Sequence, residues 1–292
     1  MRVFVTGSTG FIGSAIVQDL IAAGHKVLGL ARSDAGAASL AAIGADVHRG
    51  SLEDFESLSN GAATSDGVIH TAFNHNFSTY LANCEADRQV IEALGAGLAG
   101  SGRPLVVTSG TGRQKETQRA PDFTAHPRLA TEAAAASVAA QGVPVSVVRL
   151  PPSVHGEGDH GFVPMIIRSA REKGVSAYVG DGLNQWPAVH RLDAARLFRL
   201  ALEKGAPEAW YHGVGDEGVA FRNIAELIGR HLDITIVGMT PEEAAGHFGF
   251  LAQFAAANLP ASGAQTQQLL GWHPTQPGLI PDLDQGHYFE AS

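Results

Sequence analysis

The stretch "VTGSTGFIGS" (5–14) spaces Gly7, Gly10 and Gly13 three apart, directly behind the apolar run "RVFV" (2–5). A strand that turns into a helix here leaves the first helical N–H groups unpaired, at the positive end of the helix dipole. A diphosphate satisfies both, provided no Cβ blocks its approach. Gly7 permits the tight turn, Gly10 the close approach, and Gly13 the packing of helix on strand. Phe11, Ile12, Ala15, Ile16 and Leu20 then recur at helical spacing up to Gly24. With that strand before it and that helix after it, the glycine spacing reads as a dinucleotide cradle, with Thr9, Phe11 and Ile12 beside the phosphates.

Outward from the cradle the pattern repeats. Apolar runs at 26–31, 46–50, 67–72, 104–109 and 143–150 alternate with helical segments at 35–43, 53–59, 79–99 and 127–141. Near-continuous apolar strands separated by helices predict an α/β fold, a doubly wound parallel sheet covered on both faces. Its ligand belongs outside the carboxyl ends of the strands. After Leu150 the rhythm changes to a Gly/Pro-rich loop "PPSVHGEGDHG" (151–161), a helix over 162–173, "YVGDG" (178–182) and a helix over 192–204. Strands at 210–214 and 234–238 follow, mixed with short helices. The expected division is a dinucleotide-binding domain over 1–155, to which 186–215 returns, and a smaller substrate lobe from 156–185 and 216–292.

Composition narrows the function. The 292 residues carry a net charge of −9 and show no cationic cluster, so nucleic acid is not expected as a partner. No uninterrupted apolar run approaches about 18 residues, so no membrane partner is expected. The single cysteine, Cys84, excludes an intramolecular disulfide framework and fits a reducing cytosol. A cytoplasmic protein acting on a small-molecule substrate is the expectation.

Several motifs together resemble the short-chain dehydrogenase/reductase superfamily, in its extended or atypical branch related to nucleotide-sugar epimerases. "VTGSTGFIG" resembles the family's cofactor turn, "DGVIHTA" (66–72) its fourth strand and "VVTSGT" (106–111) its fifth. "RLPPSVHGEG" (149–158) resembles the stretch over the nicotinamide, "VGDGLNQWPAVHRLDAARL" (179–197) the entry to the substrate lobe, and "LLGWHP" (269–274) the closing helix. The resemblance implies cofactor contacts from Ser51, Leu52, Thr71, Ala72, Phe73, Pro151, Ser153 and Val154, and substrate contacts from Asn184, Trp186 and His190; Asn74, which follows the fourth strand, can also reach substrate.

Proteins that bind NAD usually end the second strand in an acidic residue that reads the adenosine ribose. Ala31 holds that place and Arg32 follows. With no carboxylate to repel a 2′-phosphate and a guanidinium to hold it, NADP(H) is expected over NAD(H), with Ser33 as a second donor. An ordinary surface cation is the plainer reading of Arg32.

The family's catalytic pair resembles Tyr-x-x-x-Lys at the start of the fifth helix. The matching stretch is "HPRLATE" (126–132), where Arg128 replaces the Tyr and Glu132 the Lys. Positioning of donor and acceptor supplies about 7–11 kcal/mol of a barrier and general acid–base help about 3–5.5 kcal/mol. Hydride transfer can therefore outlive the tyrosine if another group serves the oxygen. Arg128 can stabilise it electrostatically without giving up a proton, and Glu132 can bond the ribose or anchor Arg128. His155 is the preferred proton donor, since imidazole titrates near neutrality; Ser109 and Thr111 can bond the substrate oxygen. His75, after the fourth strand, can reach substrate, and Phe73, Phe77 and Phe162 read as apolar wall or core. His155, Glu157, Asp159 and His160 could ligate a metal, but their glycine-rich loop favours no metal, and His160 is assigned to substrate.

The leading expectation is an NADPH-dependent oxidoreductase that reduces a fairly hydrophobic carbonyl. A catalytically silent cofactor-binding redox sensor is the alternative, favoured by the missing pair. A nucleotide-sugar epimerase or dehydratase ranks lower, because both normally need the tyrosine. The helices over 79–99 and 127–141 match those through which extended relatives pair, so a homodimer is a further expectation.

Overall fold

A computed structural model describes residues 1–112, 116 and 127–290. In chain order the first half runs β1 (Arg2–Thr6), α1 (Phe11–Ala22), β2 (Lys26–Ala31), α2 (Asp34–Ala42), β3 (Asp46–Arg49), α3 (Phe55–Ala63), β4 (Gly67–His70), α4 (Tyr80–Leu98), β5 (Leu105–Gly110), α5 (Ala130–Ala140) and β6 (Val145–Leu150). The second half continues with β7 (Ser153–His155), α6 (Phe162–Lys173), β8 (Val175–Val179), β9 (Gln185–His190), α7 (Arg191–Lys204), β10 (Trp210–His212), β11 (Asp216–Ala220), α8 (Phe221–Leu232), β12 (Thr235–Met239), α9 (Pro241–Phe248), α10 (Ala252–Ala255), α11 (Ala264–Leu270) and α12 (Leu279–Leu283).

Seven of these strands form one parallel sheet in the order β10-β6-β5-β4-β1-β2-β3. Apolar side chains leave both faces of it. On one face Val3, Val5, Ile69 and Val106 pack with Ile16 and Leu20 of α1 and Leu197 and Phe198 of α7. On the other, Phe4, Val68 and Val107 pack with Leu58 of α3, Ile91 and Leu94 of α4 and Val138 of α5. This is the doubly wound α/β fold, and the order changes direction between β1 and β4, beside the glycine turn.

The chain beyond β6 builds two further small sheets and a third core. A three-stranded sheet has the order β11-β9-β7, and β12 pairs with β8 in a two-stranded parallel ribbon. Val163, Ile166, Trp186, Phe221, Ile224 and Leu227 lie at the centre of that core. Three expectations shift here. The loop read over 151–161 contains β7, which pairs in parallel with β9 over three positions. The run at 178–182 holds the last two residues of β8 and the turn after it, where Gly180 and Gly182 take positive φ angles of 62° and 69°. The segment at 127–141 opens with a 3-10 turn (Pro127–Leu129) before α5 begins.

Candidate active site

The cradle lies between β1 and α1. Gly7 has φ +69°, and a Cβ there would stand 2.7 Å from the Ala72 nitrogen. A Cβ on Gly13 would stand 2.0 Å from the Gly7 carbonyl oxygen, so helix and strand can approach only as glycines. Gly10 is the N-cap of α1, and no side chain caps it. Thr9 and Gly10 are exposed, Phe11 and Ile12 half-buried. At the end of β2, Ala31 is buried and Arg32 exposed. Ser33 caps α2, its Oγ accepting from the Gly36 N–H.

Arg49, which the sequence reading passed over, stands at this same corner. Strand register sets it beside Ala31, and it donates to the Ser33 carbonyl at 2.7 Å and the Asp34 carboxylate at 2.8 Å. Its signal was available: a third parallel strand "DVHR" must end level with the second. Nearby, Ser51 hydrogen-bonds the Glu53 carboxyl and, with the Arg32 charge, lowers its pKa, while Leu52 packs on the sheet core.

Across the cradle, Thr71 donates to the Thr6 carbonyl at 2.8 Å and Ala72 abuts Gly7. Pro151 is buried and Val154 half-buried. The hydroxyls of Ser109, Thr111 and Ser153 are buried with no hydrogen-bond partner among the described residues. A glycine cradle that any Cβ would fill, together with orphaned hydroxyls at the carboxyl edge of the sheet, fits a dinucleotide.

The position expected to hold a catalytic tyrosine carries a fixed cation. Arg128 donates to Asp87 at 2.7 Å, to the Thr108 carbonyl at 3.0 Å and to the Thr131 hydroxyl, and lies 3.9 Å from the Phe73 ring centre. Asp87 in turn binds His70 at 3.0 Å, and His70 meets the Thr6 hydroxyl at 2.6 Å. Burial alone would raise the Asp87 carboxyl, but bonds and charges from His70, Arg128 and Thr131 hold it down at about 2. Neither Asp87 nor His70 was singled out from sequence, since their meeting depends on β4 and α4 packing together.

Glu132 departs from both of its expected roles. It is fully buried and bound by Arg149 of β6 at 2.8 and 2.6 Å, with the Trp210 indole donating at 3.1 Å. It therefore neither reaches toward a ribose nor anchors Arg128. His126 of the same motif lies outside the described residues.

His155 also departs from expectation. It is fully buried, its Nδ1 lies 2.8 Å from Asp282, and it packs against His190. The side chain points into the seam between β7 and α12, sealed from any substrate. The substrate assignments of three further residues give way to structural contacts. Trp186 is 1% exposed and donates to the Phe254 carbonyl. Asn184 donates to the Ala255 and Ala257 carbonyls. His190 caps α7, its Nδ1 accepting from the Leu192 N–H.

Other side chains do converge. His160 meets the Phe11 ring at 5.7 Å, and Arg191 lies 5.2 Å from the same ring. Phe73 contacts His75 at 5.0 Å and Tyr80 at 6.1 Å. Phe77 reaches from this turn to Phe250 at 4.9 Å and Phe162 at 6.1 Å. Asn74 is exposed, and its side chain accepts from the Asn76 N–H. Two aromatic groups thus stand above the sheet, one at Phe11 with His160 and Arg191, the other at Phe73 and Phe77 with His75 and Arg128. Among the described residues no group of three or more His, Cys, Asp or Glu is arranged to hold a metal ion.

An uncapped glycine turn, a doubly wound sheet and a lobe over its carboxyl edge define a dinucleotide-binding protein. Residues 3–212 match the model of the NAD dependent epimerase/dehydratase family, and the chain belongs to that family. Over 99% of its length it is 50% identical to an uncharacterized protein of Schizosaccharomyces pombe, covering all of that protein. It is 34% identical to the 2-alkyl-3-oxoalkanoate reductase of Stenotrophomonas maltophilia, over 72% of this chain and 67% of that one. Among solved structures, Pal from Bacillus thuringiensis shares the fold with a TM-score of 0.76, at 20% identity and 98% coverage of both chains. No helix among the described residues is long and apolar enough to cross a membrane.

Proposed function

We propose that this protein is an NADP(H)-dependent oxidoreductase that reduces a fairly hydrophobic carbonyl compound. The observation that carries the reading is the corner beyond the cradle. There β2 ends in a buried alanine, Arg32 is exposed, and Arg49 stands on the neighbouring strand. β2 itself ends without the carboxylate that reads a ribose 2′-hydroxyl, and the Asp34 carboxylate at the start of α2 is paired with Arg49. The nicotinamide, when bound, supplies a hydride to the carbonyl carbon.

The protein's own part is to hold and shield. The first turn of α1 offers its N–H groups to the diphosphate, and Ser109, Thr111 and Ser153 offer hydroxyls at the sheet edge. Phe73, Phe77 and Phe162 favour an apolar substrate body and exclude water. Arg128 presents a fixed positive field toward developing negative charge. The reductase relative supports carbonyl chemistry.

A nucleotide-sugar substrate has weaker support, because its diphosphate needs convergent cations. Arg171 and Lys173 instead donate to the carbonyls of Phe289, Gly246 and His247. The silent sensor is favoured by one observation, that Glu132 at the family's lysine position is buried and taken up by Arg149 and Trp210. The test is absorbance loss of NADPH with a panel of aldehydes and ketones, 4-nitrobenzaldehyde among them. Turnover supports the oxidoreductase; tight NADPH binding without turnover on any carbonyl favours the sensor.

A further inference from the structure

We propose that His75 is the proton donor of this reduction, acting at the substrate oxygen beside Arg128; the inference rests on the oxidoreductase reading. Three of the groups that sequence position nominates are disposed of by geometry, and the hydroxyls of Ser109 and Thr111 can bond the substrate oxygen but are weak acids. His155 is sealed against Asp282, Glu132 is bound by Arg149, and a guanidinium does not release a proton at any working pH. Burial pushes the Tyr80 hydroxyl up to about 12, which makes it a poor acid near neutrality.

His75 lies beside Arg128 across the Phe73 ring, and the structure has built a support for it. The backbone carbonyls on either side, those of Asn74 and Asn76, both accept from the Asn83 side-chain amide of α4, at 3.0 and 2.9 Å. The Asn76 N–H closes the turn on the Asn74 side chain. One amide thus pins the loop before and after the imidazole, which is itself exposed. Its ring meets Phe73, which also carries the Arg128 guanidinium, so both groups share one aromatic ring.

The charges that act on His75 come from three elements: Arg128 before α5, His160 after β7, and Asp87 of α4. Desolvation by the groups packed around the ring, then the positive charges of Arg128 and His160, lower its pKa, while a backbone hydrogen bond at Phe73 and the Asp87 charge oppose them. As the carbonyl carbon accepts hydride from the reduced nicotinamide, the π electron pair moves to oxygen. The imidazolium N–H bond breaks, its electron pair stays on the ring nitrogen, and the proton forms the O–H bond of the alcohol. Water then reprotonates the imidazole. Because the acid form exists only below its pKa, reduction falls as pH rises through a value lower than the ordinary ~6.5.

The test combines a footprint with a variant, both on the full chain. Diethyl pyrocarbonate should carbethoxylate His75 in the free protein, read by peptide mass, and saturating NADP+ should cut that modification at least about fivefold. H75Q should bind NADPH as wild type does, yet lose 10²- to 10⁴-fold in kcat toward 4-nitrobenzaldehyde (about the worth of general acid catalysis). It should also lose the pH slope and recover partly with added imidazole. Equal modification with and without NADP+, or an H75Q enzyme that keeps both its rate and its pH slope, overturns the proposal. A wild-type protein that binds no NADPH overturns the oxidoreductase reading itself, and this inference with it. If wild type binds NADPH but turns over no carbonyl, the oxidoreductase reading gives way to the sensor, and the proton-donor role of His75 is overturned with it.

Discussion

Glu132 sits on α5 and Arg149 on β6, both fully buried and joined by two hydrogen bonds. Taking one partner away strands a charge in the interior, which typically costs about 3–5 kcal/mol. R149M should therefore lower urea-unfolding stability by about that amount, while R149M paired with E132L should recover much of it. Recovery absent from the double variant would mean the pair is not the source. Asp87 gives a second prediction, with a defined sign. Its carboxyl is depressed to about 2 in the folded protein, so its stabilisation is complete above the unfolded value of ~3.9 and fades as pH falls toward 2. The stability gap between wild type and D87N should shrink by about 2.5 kcal/mol across that window; a constant gap would contradict the assignment. At this scale the sequence was least informative. Position in a motif nominated Glu132, His155 and Trp186, but Arg149, Asp282 and Phe254, the partners that determine their roles, come from other elements.

Helix α1 begins at a glycine with no side-chain cap, whereas α9 begins with a full capping box, Thr240 and Glu243 each bonding the other's backbone. An open first turn is not peculiar to α1, since α4, α5, α6 and α8 also lack a side-chain cap; what sets α1 apart is the Gly7–Gly13 close approach beneath it. T240A should cost about 1 kcal/mol in urea unfolding and leave NADPH affinity unchanged. G13A should do the reverse in emphasis. Its methyl would meet the Gly7 carbonyl oxygen at 2.0 Å, so the turn must open and NADPH fluorescence titration should show binding weakened at least about tenfold. Unaltered binding by G13A would remove the cradle from the account. Elements were the level most legible in sequence, because buried parallel strands are long apolar runs that only helices can connect. The exceptions lie in the lobe: β7, three residues inside a Gly/Pro-rich stretch, β8, which begins three residues before the run 178–182, and β9 and β11, where no strand was expected. A strand of three residues such as β7 carries no periodicity to detect.

Across the whole molecule, the sheet and the lobe meet through aromatic rings. Phe77, on the turn between β4 and α4, contacts Phe162, Phe250 and Phe254 of the lobe. Aromatic pairs contribute about 0.5–1.5 kcal/mol each beyond their buried area. F77A should lower unfolding stability by about 2 kcal/mol and raise KM for an aromatic aldehyde more than it lowers kcat. The aromatic character of this wall was visible in sequence, whereas Phe250 and Phe254 were not, since they reach it from α10 and the turn before it. The account as a whole rests on the diphosphate cradle and the cation beyond it. Calorimetric titration of wild type and R32A with NADPH and NADH tests both together. Wild type should prefer NADPH, and R32A should lose about 10- to 100-fold in NADPH affinity, the worth of a hydrogen bond to a charged group, with NADH unchanged. Equal affinity for the two cofactors in wild type, or a preference for NADH indifferent to Arg32, would contradict it.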